Sequence, residues 1–145
     1  MSAVGGDKPR PTPARPVPYP DEDSEEFWSA AARHELALQK CAACGRFRFP
    51  PRPMCPRCRS MESAWERASG RGRVWSWVVA HPPVLPAFAE RVPFNVAVIQ
   101  LEEGVRMIGN LLDCTNEDIR EGMPVRVTFE DVEEGIALPQ WTPAG

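Results

Sequence analysis

The pattern of apolar and polar positions predicts a C-terminal half built of β-strands. Val125, Val127 and Phe129 alternate with polar or charged side chains, and such alternation predicts a strand with one buried face. Runs rich in valine, tryptophan and other apolar residues recur through this half. The sequence therefore predicts five strands, at residues 73–81, 94–101, 105–112, 125–130 and 136–141.

A short helical turn is predicted between the third and fourth strands, at residues 115–121. Thr115 can cap its start, and Gly122 and Pro124 end it. Five strands with a helical element after the third is the order found in the OB-fold, a partly open Greek-key barrel. We therefore predict an OB-fold barrel over residues 70–145.

Another helix is predicted near the N-terminus, within residues 21–37. Asp23 and Glu26 have the spacing of a capping box, and Phe27 and Ala31 lie on one apolar stripe at helical spacing. A helix of about three turns is marginal on its own, so we expect it to pack on the rest of the fold.

The first 20 residues contain six of the 17 prolines and almost no large apolar side chains. Such a segment cannot bury enough surface to fold alone. Residues 1–20 are therefore expected to be an extended leader, and composition does not distinguish a linker to another domain from a disordered tail.

Four of the five cysteines form the strongest motif of the chain. They occur as two Cys-x-x-Cys pairs separated by ten residues, at Cys41, Cys44, Cys55 and Cys58. Two such pairs place four thiolates around one ion, and four protein ligands leave no open position for catalysis. The spacing predicts a structural zinc ribbon over residues 38–69, with a redox pair or an iron site as the alternative.

Short strands are predicted beside the first cysteine pair, at residues 38–40 and 46–49. In the second of these, Phe47 and Phe49 are expected to cover one face and two arginines the other. The predicted fold class is therefore mainly β: a short N-terminal helix, a rubredoxin-like zinc ribbon and a five-stranded OB-fold barrel.

The net charge of −3 hides an uneven distribution. Residues 40–73 carry nine basic and two acidic side chains, whereas residues 102–134 carry ten acidic and three basic ones. Such asymmetry bears on which partners the protein binds rather than on its fold.

No apolar run is long enough to span a membrane, and no signal peptide is recognisable. We therefore expect a cytoplasmic location, where reduced thiols favour metal over disulfides.

Groups suited to catalysis are sparse in this sequence. His34 and His81 stand apart from other acid–base groups. Cys114 is better explained as a small buried hydrophobic side chain than as a nucleophile, because no base is adjacent to it. An autonomous enzyme is therefore the least favoured interpretation.

The predicted strand at 73–81 and the loop after it offer apolar side chains to a partner. Trp75 and Trp77 are expected on one face of the strand, either in the barrel core or in an exposed aromatic patch. The loop at 82–93 contains four prolines and is expected to dock on a partner or to fold back over the barrel. Its apolar side chains are Val84, Leu85 and Phe88.

Several motifs along residues 25–141 resemble one family. They include Phe27-Trp28, both cysteine pairs with Gly45 after the first, Gly70-Arg-Gly72, Val92-Pro-Phe94, Gly122-Met-Pro124 and Phe129-Glu-Asp131. The chain resembles the DUF35 family, which comprises zinc-ribbon and OB-fold proteins associated with acyl-CoA metabolism.

The resemblance implies a function that spacing alone does not. Members of the family pair with thiolase-superfamily proteins, often of the lipid-transfer-protein type, that act on acyl-CoA thioesters. Some take part in steroid side-chain degradation by retro-aldol cleavage, and some are fused to a MaoC-like hydratase. The chain is therefore expected to be a non-catalytic accessory subunit with structural zinc, in a heterotetramer with a thiolase-like dimer.

The positive charge of the ribbon suits the phosphates of CoA, because arginines bind phosphates well. The candidates are Arg46, Arg48, Arg52, Arg57 and Arg59; the alternative is a solvated, charge-balancing face. Single-stranded nucleic acid is the alternative ligand class, since zinc ribbons and OB-folds both occur in such proteins. The acidic barrel half argues against it.

Overall fold

Eight β-strands and one α-helix are formed by residues 15–82 and 85–145, the residues that the computed structural model describes. The helix α1 spans Glu25–Ala32. A three-stranded sheet contains β1 (Ala37–Cys41), β2 (Phe47–Arg48) and β3 (Ser63–Arg67). A five-stranded sheet contains β4 (Arg71–Ala80), β5 (Phe94–Leu101), β6 (Arg106–Gly109), β7 (Pro124–Glu133) and β8 (Ile136–Pro143). No helix in these two ranges is both long and apolar enough to cross a membrane.

The five-stranded sheet closes into a barrel. Its strands follow the order β6-β5-β4-β7-β8 with antiparallel neighbours. Just beyond the end of β6, Leu111 forms a parallel bridge with Trp141 of β8. The Trp141 N–H donates to the Asn110 carbonyl at 3.0 Å, and the Leu112 N–H donates to the Trp141 carbonyl at 2.7 Å. With a 3₁₀ turn at Asn116–Asp118 after the third barrel strand, this closure confirms the predicted OB-fold.

A single apolar core joins the helix, the ribbon and the barrel. Phe27 of α1 and Leu38 of β1 belong to the same buried cluster as Ile99, Val125 and Trp141 of the barrel. Leu38, Ile99 and Trp141 are completely buried. The eight-residue helix α1 is too short to be stable alone, so packing on this core stabilises it.

The start of α1 differs from the prediction. In place of the predicted capping pair of Asp23 and Glu26, Asp21 and Ser24 form a hydrogen-bonded turn just before the helix. The Asp21 carboxylate accepts the Ser24 N–H at 2.9 Å and the Ser24 hydroxyl at 2.7 Å, and the Glu25 N–H donates to the Asp21 carbonyl at 2.8 Å. The predicted cap was wrong because Ser24 is the N-cap residue and makes no side-chain capping bond, while the Asp21 carbonyl accepts the first helical N–H, that of Glu25.

Strand β3 is absent from the sequence-based prediction. Its five residues pair antiparallel with all of β1, yet Trp65 is its one partly buried residue. An edge strand with polar or charged side chains on both faces lacks the alternation that identifies strands. The ribbon sheet therefore has three strands rather than the two predicted.

A β-bulge in β4 changes the face of one tryptophan. The pairing of β4 with β5 slips between Val74 and Ser76, which leaves Trp75 as the extra residue. Trp75 points outward and is 50% exposed, whereas Trp77 is partly buried and packs against the core. The expectation that both tryptophans share a face was therefore wrong, because one extra residue reverses the alternation of the side chains.

The close approach of Gly109 to Trp141 gives a prediction about stability. A Cβ atom at position 109 would lie 2.9 Å from Trp141 Cδ1 and 3.2 Å from Gln140 Oε1. Since the Trp141 side chain is completely buried, we expect Gly109→Ala to lower the free energy of unfolding by about 1–3 kcal/mol. Urea denaturation measures this change. Gly145→Ala, at a position with open surroundings, is the neutral control, and equal stability of the two variants would contradict the predicted clash.

Candidate metal centre and partner surface

The two cysteine pairs lie on two turns with the same backbone pattern. In each turn the first cysteine donates its N–H to the carbonyl five positions later, at 2.8 Å for Cys41 and at 2.9 Å for Cys55. Four positions after the first cysteine the backbone has a positive φ, at Gly45 and at Arg59. Glycine adopts this conformation freely, whereas arginine adopts it at a cost. The second turn therefore repeats the geometry of the first without its glycine.

The four sulfur atoms form a compact cluster that fits one zinc ion. All four lie within 4.8 Å of one another. The Sγ atoms of Cys41 and Cys58 are 3.5 Å apart, and those of Cys44 and Cys55 are 3.7 Å apart. A tetrahedral site with Zn–S bonds of about 2.3 Å has sulfur–sulfur edges of about 3.8 Å. The cluster therefore has the ligand set and the size of the predicted zinc site.

Backbone N–H groups around the cluster favour thiolates at two of its corners. The Cys44 N–H lies 3.4 Å from the Cys41 sulfur, and this hydrogen bond is the main cause that lowers the pKa of Cys41 to about 6. The Cys58 N–H lowers the pKa of Cys55 in the same way. At Cys58 the Ser60 N–H lowers the pKa, but the Cys41 thiol and burial help to raise it to about 11. Zinc binding at neutral pH therefore releases protons from the cluster.

The metal centre connects the core to the surface. Cys41 and Cys55 are 1% exposed, while Cys44 and Cys58 lie at the surface. Four protein ligands complete a tetrahedral zinc site and leave no position for water or substrate. The zinc of this ribbon is therefore structural.

Arg48, one of the five arginines proposed for CoA phosphates, is buried inside the ribbon. Its Nε atom donates to Gln39 Oε1 at 2.9 Å, and its Nη2 atom donates to the Arg52 carbonyl at 2.9 Å. Gln39 Oε1 also accepts the Arg52 N–H at 2.9 Å. Because β2 pairs Arg48 with Gln39 of β1, the guanidinium turns inward and holds the proline-rich crossing between the cysteine pairs. At 6% exposure Arg48 cannot reach a phosphate in solvent, so that assignment was wrong.

The other four candidate arginines of the ribbon are exposed: Arg46, Arg52, Arg57 and Arg59. None of them takes part in the ion pairs formed within the described ranges. Their guanidinium groups are therefore accessible to an anion, and a role in binding CoA phosphates stays a prediction.

The loop after β4 folds back over the barrel at Phe88, one of the residues predicted to contact a partner. Phe88 is partly buried, with its ring 5.7 Å from that of Phe94, and both rings line a cavity of about 450 Å³. Leu85 is 44% exposed, and Val84 lies outside the described residues. Of the predicted loop residues, Leu85 is therefore the one that the structure places at the surface.

The outer surface of β4, β5 and β6 carries apolar side chains that the sequence analysis missed. Trp75, Val78 and Ile108 are at least half exposed, and the partly buried Val96 and Val98 lie between them. We call these five residues the outer apolar face. A signal for it exists in β5, which is apolar at six of its eight positions, as is typical of strands covered on both faces.

The remaining reactive side chains form no second centre in the part of the chain that the structure describes. His34 stacks on Phe129 with ring centroids 5.3 Å apart, and its Nε2 atom lies 2.9 Å from Asp131, so it attaches the end of α1 to β7. Cys114 is partly buried, and burial raises the pKa of its thiol. Among the described residues, the four cysteines of the ribbon are the one group of three or more side chains that can hold a metal ion.

Two family models match the ribbon and the barrel. Residues 28–62 match "ChsH2, rubredoxin-like zinc ribbon domain", and residues 65–130 match "ChsH2, C-terminal OB-fold domain". A DUF35 domain-containing scaffold protein of Methanocaldococcus jannaschii is 39% identical over 104 residues, which cover 70% of this chain and 72% of that protein. The chain belongs to the DUF35 family. Membership confirms the resemblance, the zinc ribbon and the OB-fold.

Solved structures of DUF35 proteins have the same fold. The chain matches a structure described as "Ltp2-ChsH2(DUF35) aldolase" with a TM-score of 0.81 and 38% identity, over 88% of this chain and 99% of that chain. A DUF35 protein of Sulfolobus solfataricus matches with a TM-score of 0.60 at 13% identity. The second match supports the DUF35 fold alone.

Two longer relatives of this DUF35 chain have names that specify hydratase subunits. A "Probable enoyl-CoA hydratase alpha subunit" of Thermomonospora curvata is 38% identical over 93% of this chain. A "3-oxo-4,17-pregnadiene-20-carboxyl-CoA hydratase alpha subunit" of Mycobacterium tuberculosis is 39% identical over 87% of this chain. The chain spans 42% and 39% of the lengths of these two proteins.

Proposed function

We propose that this DUF35 chain is a non-catalytic accessory subunit that binds and stabilises a thiolase-superfamily enzyme of the lipid-transfer-protein type. The observation that carries the proposal is its similarity to the chain of the Ltp2-ChsH2(DUF35) aldolase, of which it covers 99% at 38% identity. That chain consists almost entirely of the present fold. A zinc-ribbon and OB-fold unit of this kind therefore occurs in a structure described as an aldolase.

The proposed reaction of the complex is retro-aldol cleavage of a CoA thioester in steroid side-chain degradation. The names of two relatives specify an aldolase and a pregnadiene carboxyl-CoA. A retro-aldol step breaks the bond between the α and β carbons of a β-hydroxyacyl thioester, and it needs a base and groups that stabilise the resulting enolate. In this chain the ribbon thiolates are placed for zinc and His34 pairs with Asp131. We therefore assign the catalytic groups to the thiolase-like subunit.

The hydratase names of the longer relatives fit a consecutive reaction. Hydration of an α,β-unsaturated thioester produces the β-hydroxyacyl thioester that a retro-aldol step cleaves. We propose that this chain works beside a MaoC-like hydratase, through fusion or association, since it corresponds to about two fifths of two relatives with such names. For the assembly with the thiolase-like enzyme we propose a heterotetramer of two chains of each kind.

Single-stranded nucleic acid is the less favoured ligand. Stacking platforms for nucleic acid combine aromatic side chains with a basic groove. Here the exposed Trp75 has Arg106 over its ring, but its surroundings include the aliphatic Val78 and Ile108, which are both exposed. Residues 102–134 add ten acidic side chains. This surface suits a protein partner better than a phosphate backbone.

We expect the purified chain to form a stable complex with one of the host's lipid-transfer-protein-type thiolase homologues, each expressed and purified separately. Light scattering after size-exclusion chromatography should give the mass of two chains of each kind. The thiolase-like subunit alone should cleave a steroid β-hydroxyacyl-CoA thioester about tenfold more slowly than the complex, because it loses the stabilisation that a bound partner provides.

The control for this experiment is the DUF35 chain alone, which should leave the thioester intact. Cleavage by the chain alone would contradict the non-catalytic assignment. If the chain forms no complex with any of the homologues, the accessory role itself is wrong, and binding to single-stranded oligonucleotides then becomes the leading alternative.

A further inference from the structure

We propose that the outer apolar face is the surface on which the thiolase-superfamily subunit docks, an assignment that rests on the proposed function. The face consists of Trp75, Val78, Val96, Val98 and Ile108, on strands β4, β5 and β6. Its partner is a folded protein with a complementary apolar surface and a carboxylate that can approach Arg106.

The strand register places these side chains on one continuous surface. Val98 of β5 is paired with Ser76 on one side and with Ile108 on the other. Val96 of β5 is paired with Val78 of β4. The intervening positions of β5 are buried, and successive side chains of a strand point to opposite faces. The valines and the isoleucine are therefore neighbours on the side of the sheet that faces away from the barrel core.

Three side chains of this face are unusually exposed for large apolar residues. Ile108 is 67% exposed, Val78 is 62% exposed and Trp75 is 50% exposed. Single exposed apolar side chains are ordinary on soluble proteins, whereas contiguous apolar patches mark interaction sites. Three strongly exposed apolar residues on adjoining strands, with two valines between them, constitute such a patch.

Trp75 and Arg106 form a preorganised pair at the edge of the face. The Arg106 guanidinium carbon lies 3.9 Å from the centre of the Trp75 ring, and its Nε atom donates to Gln100 Oε1 at 2.8 Å. The bulge in β4 directs Trp75 outward to make this contact. Tryptophan and arginine are enriched in binding hot spots, and side chains that are already ordered lose less entropy on binding.

The outer apolar face continues into a cleft of about 280 Å³ between the barrel and the N-terminal elements. Val96 and Ile108 line its barrel side, and Trp28 and Phe49 line the side of α1 and the ribbon. Interfaces gain much of their affinity from anchor side chains that fill such pockets. The cleft can admit one apolar side chain of the partner while the rest of the face is covered.

Two observations favour the thiolase-like subunit over a second copy of this chain. The solved relative is described as part of an Ltp2-ChsH2(DUF35) aldolase, and this chain covers 99% of it, which supports a thiolase-like partner for the same fold. The residues of the face and its Arg106 include no carboxylate. Two copies joined through this face could oppose Arg106 only with a carboxylate at its edge, such as Glu121 beside Trp75, whereas a different protein can place an acidic group over the face itself.

The test measures the affinity of the purified thiolase-like subunit for four variants of the full chain by biolayer interferometry. Val78→Glu and Ile108→Glu each place an unpaired charge in the interface and should raise Kd by about 100-fold. Trp75→Ala should raise it by about tenfold or more. Met61→Glu is the matched control, because Met61 is 65% exposed but lies on the ribbon, and its Kd should stay within about threefold of wild type.

Zinc content and melting temperature establish that each variant is folded, and the two glutamate variants serve as independent tests. If the wild-type chain binds and both glutamate variants bind equally well, the proposed surface is wrong but the accessory function stands. If the wild-type chain does not bind, both the proposed surface and the accessory function are wrong.

Two other results would identify a different occupant of the face. A wild-type dimer that Ile108→Glu converts to a monomer would identify a second copy of the chain, and oligonucleotide binding that Trp75→Ala abolishes would identify nucleic acid. Either result would overturn the proposal.

Discussion

The variant Cys41→Ser is expected to lose both its zinc and the folded structure of the ribbon. The Cys41 side chain is buried at the end of β1, and its sulfur is one of four that close the metal site. Structural zinc sites contribute about 10–16 kcal/mol of apparent binding free energy at neutral pH, which is as large as the whole stability of a typical domain, about 5–15 kcal/mol. Mass spectrometry of bound metal and circular dichroism should show the two losses together.

Two controls separate the loss of metal from the change of side chain. Cys114→Ser alters the fifth cysteine, which lies outside the cluster, and should keep one zinc ion per chain. Wild-type protein treated with a strong chelator should reproduce the unfolding of Cys41→Ser. A Cys41→Ser protein that still holds a full equivalent of zinc would show that the four cysteines do not form the predicted site.

The second large effect is expected for Trp141→Ala, which should lower the free energy of unfolding by about 3–5 kcal/mol. Trp141 is completely buried, and it lies where the bridge to Leu111 closes the barrel. Its Nε1 atom has no hydrogen-bond partner in the described part of the chain, so truncation leaves no polar group unpaired and the loss comes from packing. The melting temperature should fall by roughly 10 °C, as differential scanning calorimetry can measure.

Trp75→Ala provides the matched comparison for Trp141→Ala. The same truncation at a side chain that is half exposed leaves no enclosed cavity and should cost less than about 1.5 kcal/mol. Similar losses for the two variants would mean that Trp141 is not the packing centre of the barrel closure. The small effect at Trp75 also means that its role in binding can be measured on a stable protein.

The sequence was sufficient where chemistry is local. Two cysteine pairs at short spacing specify a zinc ribbon, because each pair places its thiolates within a single turn. Alternation at Val125, Val127 and Phe129 identifies β7, because a half-buried strand must repeat every second residue. The ordering of five such strands around one helical turn identifies the barrel.

The sequence did not predict features that depend on how the strands pair. The bulge at Trp75 changes which face of the sheet the neighbouring side chains point to. The alternation of apolar and polar residues in the sequence does not indicate where such an extra residue is inserted. The inward turn of Arg48 depends on Gln39 and on the Arg52 carbonyl, which are joined only when β2 pairs with β1. The edge strand β3 has almost no buried side chain, so the hydrophobic pattern contains no sign of it.

The sequence by itself therefore determined the zinc ligands and the class of each half, since these depend on residue types at short spacings and on alternation along strands, and the family was identified by the resemblance of motifs spread along the chain. The tertiary structure decided which apolar and charged side chains are available to a partner. Trp75 and Ile108 come to the surface, while Trp77 and Arg48 are turned inward. The physical reason is that exposure depends on the pairing of strands far apart in the chain, where a single-residue shift of register exchanges the buried and the solvent-facing side chains.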